Sequence, residues 1–570
     1  MSILRSSVIT LILLTAIAIP VHATVTTIGN VDPSDSGTQP DPWTLNEALY
    51  VGKANDGTLN ITAGGVVSNT KGYIGYQSGS SGEATVTGTD SQWYNSANLY
   101  VGVVGSGVLN VKGEGMVSSV TSHIGYHDGS MGKSIVIGPG TQWVNSADLN
   151  VGVAGDGVMN IKEGALVSNS NGRIGYKSSA TGQATVAGAD SWWNNLGRMV
   201  VGRSGDGVLV VEASGVVSNS LGFIGRYSNS TGAVTVTGTN SQWNNSAALY
   251  VGWYGDGTLE LEKGGVVSNA SGYIGRYAGS TGVVTVTGAD SQWHNSNSLY
   301  IGGGTSAAGG RGVLNIKDSG QVIVSNSTKL WFTGTVNLNG GMLDTGTLDL
   351  TEGTFNMLDG YLHADHVIGD LDVQGGVVAP GKGAGVMSIL GNSIQRLNAT
   401  LEIELGETSD QLLVDGNASI DGVLNVELLG DFTPTQGDEF PVITAGTRDG
   451  EFDAIDGIQV AADLTLAPIY DYAGHIGLML IAAAPGDANF DGIVDVADLG
   501  ILGANFNAAD MQWNTGDFNL DGMTDVADLG ILGANWSASQ TTGNASALVP
   551  EPTTLSLLAM SVLLVGRRRR

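Results

Sequence analysis

From residue 46 onward the chain alternates apolar and polar positions in short runs, and Gly punctuates them. Leu59-Asn60-Ile61 and Ala84-Thr85-Val86 place apolar side chains on one face and polar ones on the other. Such alternation has the period of a half-buried β-strand, not of a helix. Val51-Gly52, Gly57, Leu59-Asn60-Ile61 and Val66-Val67-Ser68-Asn69 make one unit. Ile74-Gly75, Gly82, Ala84-Thr85-Val86 and Ser91-Gln92-Trp93 make a second of the same plan. Each unit is about 25 residues, the length of one solenoid coil with two or three short strands.

Two units together repeat without insertion. Trp93, Trp143, Trp193, Trp243 and Trp293 stand 50 residues apart, and Gly52, Gly102, Gly152, Gly202, Gly252 and Gly302 keep the same step. A period that tolerates no change of length means that each unit buries its apolar face against its neighbours. A propeller also repeats every 40–50 residues, but a blade has no reason to be internally duplicated. The expected fold is therefore mainly β: a right-handed parallel β-helix whose eleven or so coils over Trp43–Ser325 would extend on the order of 50 Å at the usual strand spacing.

The Trp column admits two readings: a corner of the core filled in alternate coils, or an exposed ladder on which sugars stack. Asn95, Asn145, Asn195, Asn245 and Asn295 follow two residues later and predict an amide ladder. Arg226 and Arg276 also recur at the repeat spacing, each followed by Tyr. Asp156, Asp206 and Asp256 sit in Gly-Asp-Gly corners and read as turn residues.

Composition narrows the function. Gly makes up 88 of 570 residues, which suits many tight turns. The net charge of −30 argues against nucleic acid as a partner, since phosphate needs basic surface. With no Cys there is no disulfide, thiolate metal site or thiol nucleophile. No serine-hydrolase elbow, phosphate loop or zinc motif is present, and the expectation is a non-catalytic protein.

The sharpest chemistry lies near the end. Asp487, Asn489, Asp491, Asp495 and Asp498 occupy positions 1, 3, 5, 9 and 12 of a loop with Gly492 at position 6. Thirty residues later Asp517, Asn519, Asp521, Asp525 and Asp528 repeat the spacing around Gly522. Ile493 and Met523 hold position 7, which supplies a backbone carbonyl. This is the oxygen set of a Ca²⁺ loop, so two ions are expected. Residues 485–540 carry nine Asp and no Lys or Arg, so they should need the cation to fold compactly.

Both loops are followed by Asp-Leu-Gly-Ile-Leu-Gly-Ala-Asn. The pair resembles a type I dockerin, two calcium-loop-and-helix units. The resemblance implies docking to a cohesin-like or matrix partner through positions 10 and 11. Those are Val496-Ala497 and Val526-Ala527, small and apolar instead of the hydroxyl pair of cellulosomal dockerins.

The ends read as addresses. Arg5, the apolar run Val8–Pro20 and Val21-His22-Ala23 have the layout of a secretory signal, with cleavage after Ala23. Val549-Pro550-Glu551-Pro552, a short apolar stretch and Arg567, Arg568, Arg569 and Arg570 resemble the PEP-CTERM sorting tail of Gram-negative bacteria. That resemblance implies a transient membrane anchor, processing by an exosortase and export linked to extracellular polysaccharide. Residues 45–483 resemble the passenger regions of autotransporter adhesins and autotransporter-like PEP-CTERM proteins, although nothing after Ala484 could build an outer-membrane barrel.

The expected organisation is a signal peptide (1–23), an N-terminal cap (24–45), the repeat solenoid (46–330), an irregular passenger-like β region (331–483), the calcium module (485–540), a linker (541–548) and the sorting signal (549–570). The reading is an exported structural or adhesive protein of the cell surface or extracellular matrix. The competing one is a dockerin-bearing protein that binds or cleaves polysaccharide.

Overall fold

In the computed structural model the described residues are 23–34, 36–381 and 383–537. The signal peptide up to His22, the linker and the sorting signal Val549, Pro550, Glu551, Pro552 and Arg567 to Arg570 lie outside them. No helix among the described residues is long and apolar enough to cross a membrane. The chain divides into two compact units. The first holds nearly everything up to residue 480. The second holds the chain from Ile481, together with the short segments Thr435–Asp438 and Ala461–Ala467.

The first unit is a parallel β-solenoid. Each coil of the repeat contributes three strands, as in Gly57–Thr62, Val66–Asn69 and Gly72–Ile74, followed by Ser81–Thr87, Gln92–Asn95 and Leu99–Val101. Every strand pairs in parallel with its equivalent one coil on: Leu59 faces Ala84, Val67 faces Trp93 and Tyr73 faces Tyr100. These pairings exclude the propeller, whose strands would pair antiparallel within a blade. Eleven strands stack on the longest face, from Gly57–Thr62 to Arg311–Lys317.

The alternation seen in the sequence is the burial pattern of the strands. In Ser81–Thr87, Gly82, Ala84 and Val86 point inward and their neighbours outward. The column Leu59, Ala84, Leu109, Met159, Leu209, Val234, Leu259 and Val284 is buried throughout. Corners need Gly for two reasons at once. Gly102 has φ +71°, and a Cβ there would lie 2.2 Å from the carbonyl oxygen of Met131 on the next coil. Any side chain would therefore be strained and would also push two coils apart.

The N-terminal strand Thr24–Gly29 runs antiparallel to Gly57–Thr62, so it covers the first open edge of that face. Beyond residue 320 the coils change plan, and their strands shift register at Val324/Ser327, Val373/Gly375 and Val414/Asn417. Gln321–Leu330 is one ten-residue strand that pairs with both Gln292–Asn295 and Leu299–Ile301, fusing two faces into one. Coils shorten accordingly: Leu343 stacks on Leu362. Parallel stacking continues as far as Ala454–Asp456.

The second unit contains two nine-residue helices, α1 (Val496–Ala504) and α2 (Val526–Ala534), each preceded by one Asp-rich loop. Their packing is reciprocal. Gly486, before the first loop, lies against Leu532 of α2, and Gly516, before the second, lies against Leu502 of α1. A Cβ at either Gly would fall 2.9 Å from the Cα of that Leu.

Candidate functional site

The Trp column is not a surface. Trp93, Trp143, Trp193, Trp243 and Trp293 are all 0% exposed. A sugar-stacking ladder at these residues is therefore excluded, and they fill the core as the alternative reading had it. In four of the five coils the buried indole N–H has an Asn partner. Trp93 Nε1 donates to Asn69 Oδ1 at 2.6 Å, and Trp193, Trp243 and Trp293 donate at 2.7 Å to Asn169, Asn219 and Asn269. The same Asn donates onward, from Asn69 Nδ2 to Asn95 Oδ1 at 2.8 Å. A buried Trp thus keeps its polar atom satisfied.

One coil breaks the rule. Ser119 stands where the others have Asn, so Trp143 Nε1 is buried with no partner; Nδ2 of Asn145 and of Asn295 also have none. Ser122 stands where the other repeats have Gly72, Gly172, Gly222 and Gly272. Ser119 and Ser122 hydroxyls both reach Asn145 Oδ1, at 2.8 and 2.6 Å. At Gly72 a Cβ would sit 2.5 Å from Asn95 Oδ1, so the two replacements belong together.

Outward-facing aromatic residues recur in register on a different strand, while Trp192 and Tyr94 are exposed on the Trp strands themselves. Leu49 and Val51 are buried, so Tyr50 between them points outward, as do Tyr73, Tyr100, Tyr250, Tyr273 and Tyr300 in the same register. The recurring Tyr-Val-Gly or Tyr-Ile-Gly carried this signal, but the Trp spacing was the more conspicuous one.

The two Asp-rich loops fold as their spacing predicts. Asp487 Oδ2 accepts the N–H of Gly492 at 2.9 Å, Asn489 Oδ1 that of Asp491 at 2.8 Å, and Asp491 Oδ1 that of Ile493 at 2.9 Å. Asp517, Asn519 and Asp521 make the same contacts to Gly522, Asp521 and Met523. Positions 9 and 12 are joined by a capping box. Asp495 caps α1 and its N–H donates to Asp498 Oδ2 at 2.9 Å; Asp525 and Asp528 do the same for α2. Helix N-termini and loop amides thus hold every acidic side chain in place.

These contacts leave charge uncompensated. Asp487 is fully buried and its Oδ1 has no hydrogen-bond partner. Burial raises its pKa, the Gly492 N–H opposes this, and the charges of Asp498 and Asp491 raise it further. Burial likewise pushes Asp517 up to about 6, with Asp528 and Asp521 adding to the effect. Gln436 Nε2 reaches the other oxygen of Asp487 at 3.0 Å, a neutral donor that cannot offset the charge. Among the described residues no three acidic or His side chains converge into a metal cage by themselves. The loops add Asn and carbonyl oxygens to their carboxylates, a donor set that fits a hard divalent cation.

Val496 and Val526 are each 71% exposed, and Leu499 and Leu529 lie one turn further along the same helices, also exposed. Positions 10 and 11 are therefore presented to solvent in both halves.

No known protein family and no curated protein matches the chain. Among solved structures it is similar to a TibC-hyperglycosylated TibA fragment, with 16% identity over 61% of this chain and 98% of that one and a TM-score of 0.21. The chain is a β-solenoid of its own sequence, and its functional reading rests on its own residues.

Proposed function

We propose that this chain is an exported, non-catalytic structural or adhesive protein of a bacterial surface or extracellular matrix. Its solenoid serves as the scaffold, and residues 485–537 form a dockerin-like module that folds around two Ca²⁺ ions. Asp487, Asn489, Asp491, Asp495, Asp498 and the carbonyl of Ile493 hold one ion. Asp517, Asn519, Asp521, Asp525, Asp528 and the carbonyl of Met523 hold the other. Val496-Ala497 and Val526-Ala527 form the docking surface for a cohesin-like or matrix partner. The PEP-CTERM-like tail makes an exosortase the processing partner and extracellular polysaccharide the setting.

The observation that carries the calcium reading is Asp487 Oδ1, a buried acidic oxygen without a partner in a loop of matching donors. Leaving such a group buried costs more than a typical hydrogen bond contributes, and a cation removes that cost. Isothermal titration of the mature chain with CaCl₂ should give two sites. Asp487→Asn together with Asp517→Asn should abolish both. Heat of binding that is unchanged in the double variant would refute the assignment. Unsaturated products or new reducing ends from a polysaccharide panel would overturn the non-catalytic reading.

A further inference from the structure

One lateral edge of the solenoid collects aromatic rings and guanidinium groups. Its first column runs Tyr50, Tyr73, Tyr100 and His123, and resumes with Phe223, Tyr250, Tyr273 and Tyr300. These rings stack on one another along the coil axis. Centroids lie 4.9 Å apart for Tyr50–Tyr73, 5.0 Å for Tyr73–Tyr100 and 4.7 Å for Tyr250–Tyr273, with interplanar angles of 13°, 12° and 18°. Their faces are therefore already occupied by each other. The edge offers little open ring face to a neutral sugar.

In the gap between the two ring stacks stand Arg173, Arg198, Arg203 and Arg226. Arg203 lies over the Tyr176 ring at 4.2 Å and the Tyr227 ring at 5.1 Å. Arg226 lies over Phe223 at 4.8 Å and Tyr227 at 5.1 Å. Arg276 continues the pattern over Tyr277 at 4.5 Å. Only Arg173 has an acidic partner, Asp148; among the described residues Arg198, Arg203, Arg226 and Arg276 form no ion pair. Burial lowers the Arg226 pKa, the Tyr227 hydroxyl opposes this, and the charges of Arg198, Arg203 and Arg173 lower it again. These cations feel one another. In a chain with 53 acidic and 23 basic side chains, unpaired arginines gathered on one edge need a reason.

We propose that this edge, centred on Arg203 and Arg226, binds an acidic polysaccharide through its carboxylate or sulfate groups. The proposal deepens the surface-protein reading by naming the ligand and its site, and rests on that reading for where the polymer is met. Ring contacts hold the guanidinium planes in place before binding, so little side-chain freedom is lost when a carboxylate docks in bidentate fashion. Arg173, Arg203 and Arg226 stand on three successive coils, about 5 Å apart at the strand spacing, and Arg276 follows two coils after Arg226. That step matches the sparse charge of an extended acidic glycan, one group per sugar or per pair of sugars. A nucleic acid carries denser charge and would be repelled by the acidic remainder of the chain.

The test measures binding of the mature chain to immobilised polygalacturonate and dextran sulfate. Neutral dextran and single-stranded DNA serve as comparisons, each arm with and without EGTA. Binding to one or both acidic glycans, weakened by salt and retained in EGTA, is expected. Arg203→Gln with Arg226→Gln should weaken it at least tenfold with an unchanged far-UV circular dichroism spectrum. Ser228→Glu, an exposed change beside the cluster, should weaken it as well and covers the case in which the double variant misfolds. Arg396→Gln, elsewhere on the solenoid, should have no effect. The proposal is overturned by absence of acidic-glycan binding, by equal affinity for dextran or DNA, or by indifference to the substitutions. Loss of binding in EGTA would assign the ligand to the calcium module instead. Cleavage of a bound glycan would defeat the non-catalytic reading while leaving the binding edge intact.

Discussion

The repeat solenoid and the Asp-rich module meet the same problem, buried polar atoms, in opposite ways. In the solenoid nearly every buried indole N–H of the Trp column meets an Asn one coil earlier, and that Asn meets the next Asn. The set is neutral, so the few atoms it leaves unpartnered carry no charge. In the module the buried groups are carboxylates, and Asp487 Oδ1 is left over. Backbone N–H groups shape the loops but cannot neutralise them. One region pairs most of its buried polar atoms within itself, and the other buries carboxylates whose charge the proposed cation would offset.

The largest expected effect tests that division directly. Adding EGTA to the mature chain should unfold the module and expose Trp513, which is buried with its Nε1 on the carbonyl of Asp487. Trp fluorescence should report this while the β signal of the solenoid in circular dichroism persists. Simultaneous loss of both signals would show that the two regions are not independent in stability. The next effect lies within the solenoid. Trp193→Ala should cost ~3–5 kcal/mol, the usual range for emptying a large aromatic site, and it also orphans Asn169. Hydrogen exchange should rise in the flanking coils and little elsewhere, because coils contact only their neighbours.

A smaller effect of opposite sign belongs to the coil whose Trp lacks an Asn partner. Ser119→Asn with Ser122→Gly restores the partner that Trp143 lacks and should stabilise the solenoid by about 1–2 kcal/mol. Ser119→Asn alone should do less or destabilise, since the Ser122 side chain occupies the space that Gly leaves free in the other copies. A double-mutant cycle on the thermal transition measures the coupling.

The smallest is a pH effect in the later coils. Burial raises the pKa of Asp410 to about 6, opposed by N–H groups of Glu404 and Gly385 and aided by the charges of Glu404 and Glu402. Its folded value exceeds the usual 3.8, so the fold disfavours its ionised form. Its influence on stability is therefore most favourable below about pH 4 and declines as pH rises to about 6. Asp410→Asn should remove that slope from the difference between the variant and the parent across this window, measured by thermal melts in EGTA.

Much of this was legible in the sequence because it is periodic. The alternation in Leu59-Asn60-Ile61 implies a strand with one buried face, and a 50-residue step without insertion implies stacked coils. The hydrogen-bonded loop geometry was legible because it is local: Asp487, Asn489 and Asp491 accept N–H groups from within the same twelve-residue loop. The local hydrogen bonds at Gly492 and Gly522 followed from that spacing alone.

Hidden from the sequence was everything set by residues one coil away. Alternation places Trp93 and Asn95 on one side of their strand but does not say which side is inside. That was decided by the stacking of coils, which buries the whole Trp column, Trp143 included although no Asn meets its indole N–H. The same holds for Arg203, whose neighbours in sequence are Gly202 and Ser204 and whose neighbours in space are Tyr176 and Tyr227. Short spacings along the chain were enough to dictate the strand, its period and the loop chemistry. Which repeating column is core and which is surface was settled by stacking, because the coil step brings together side chains that lie some 25 residues apart along the chain.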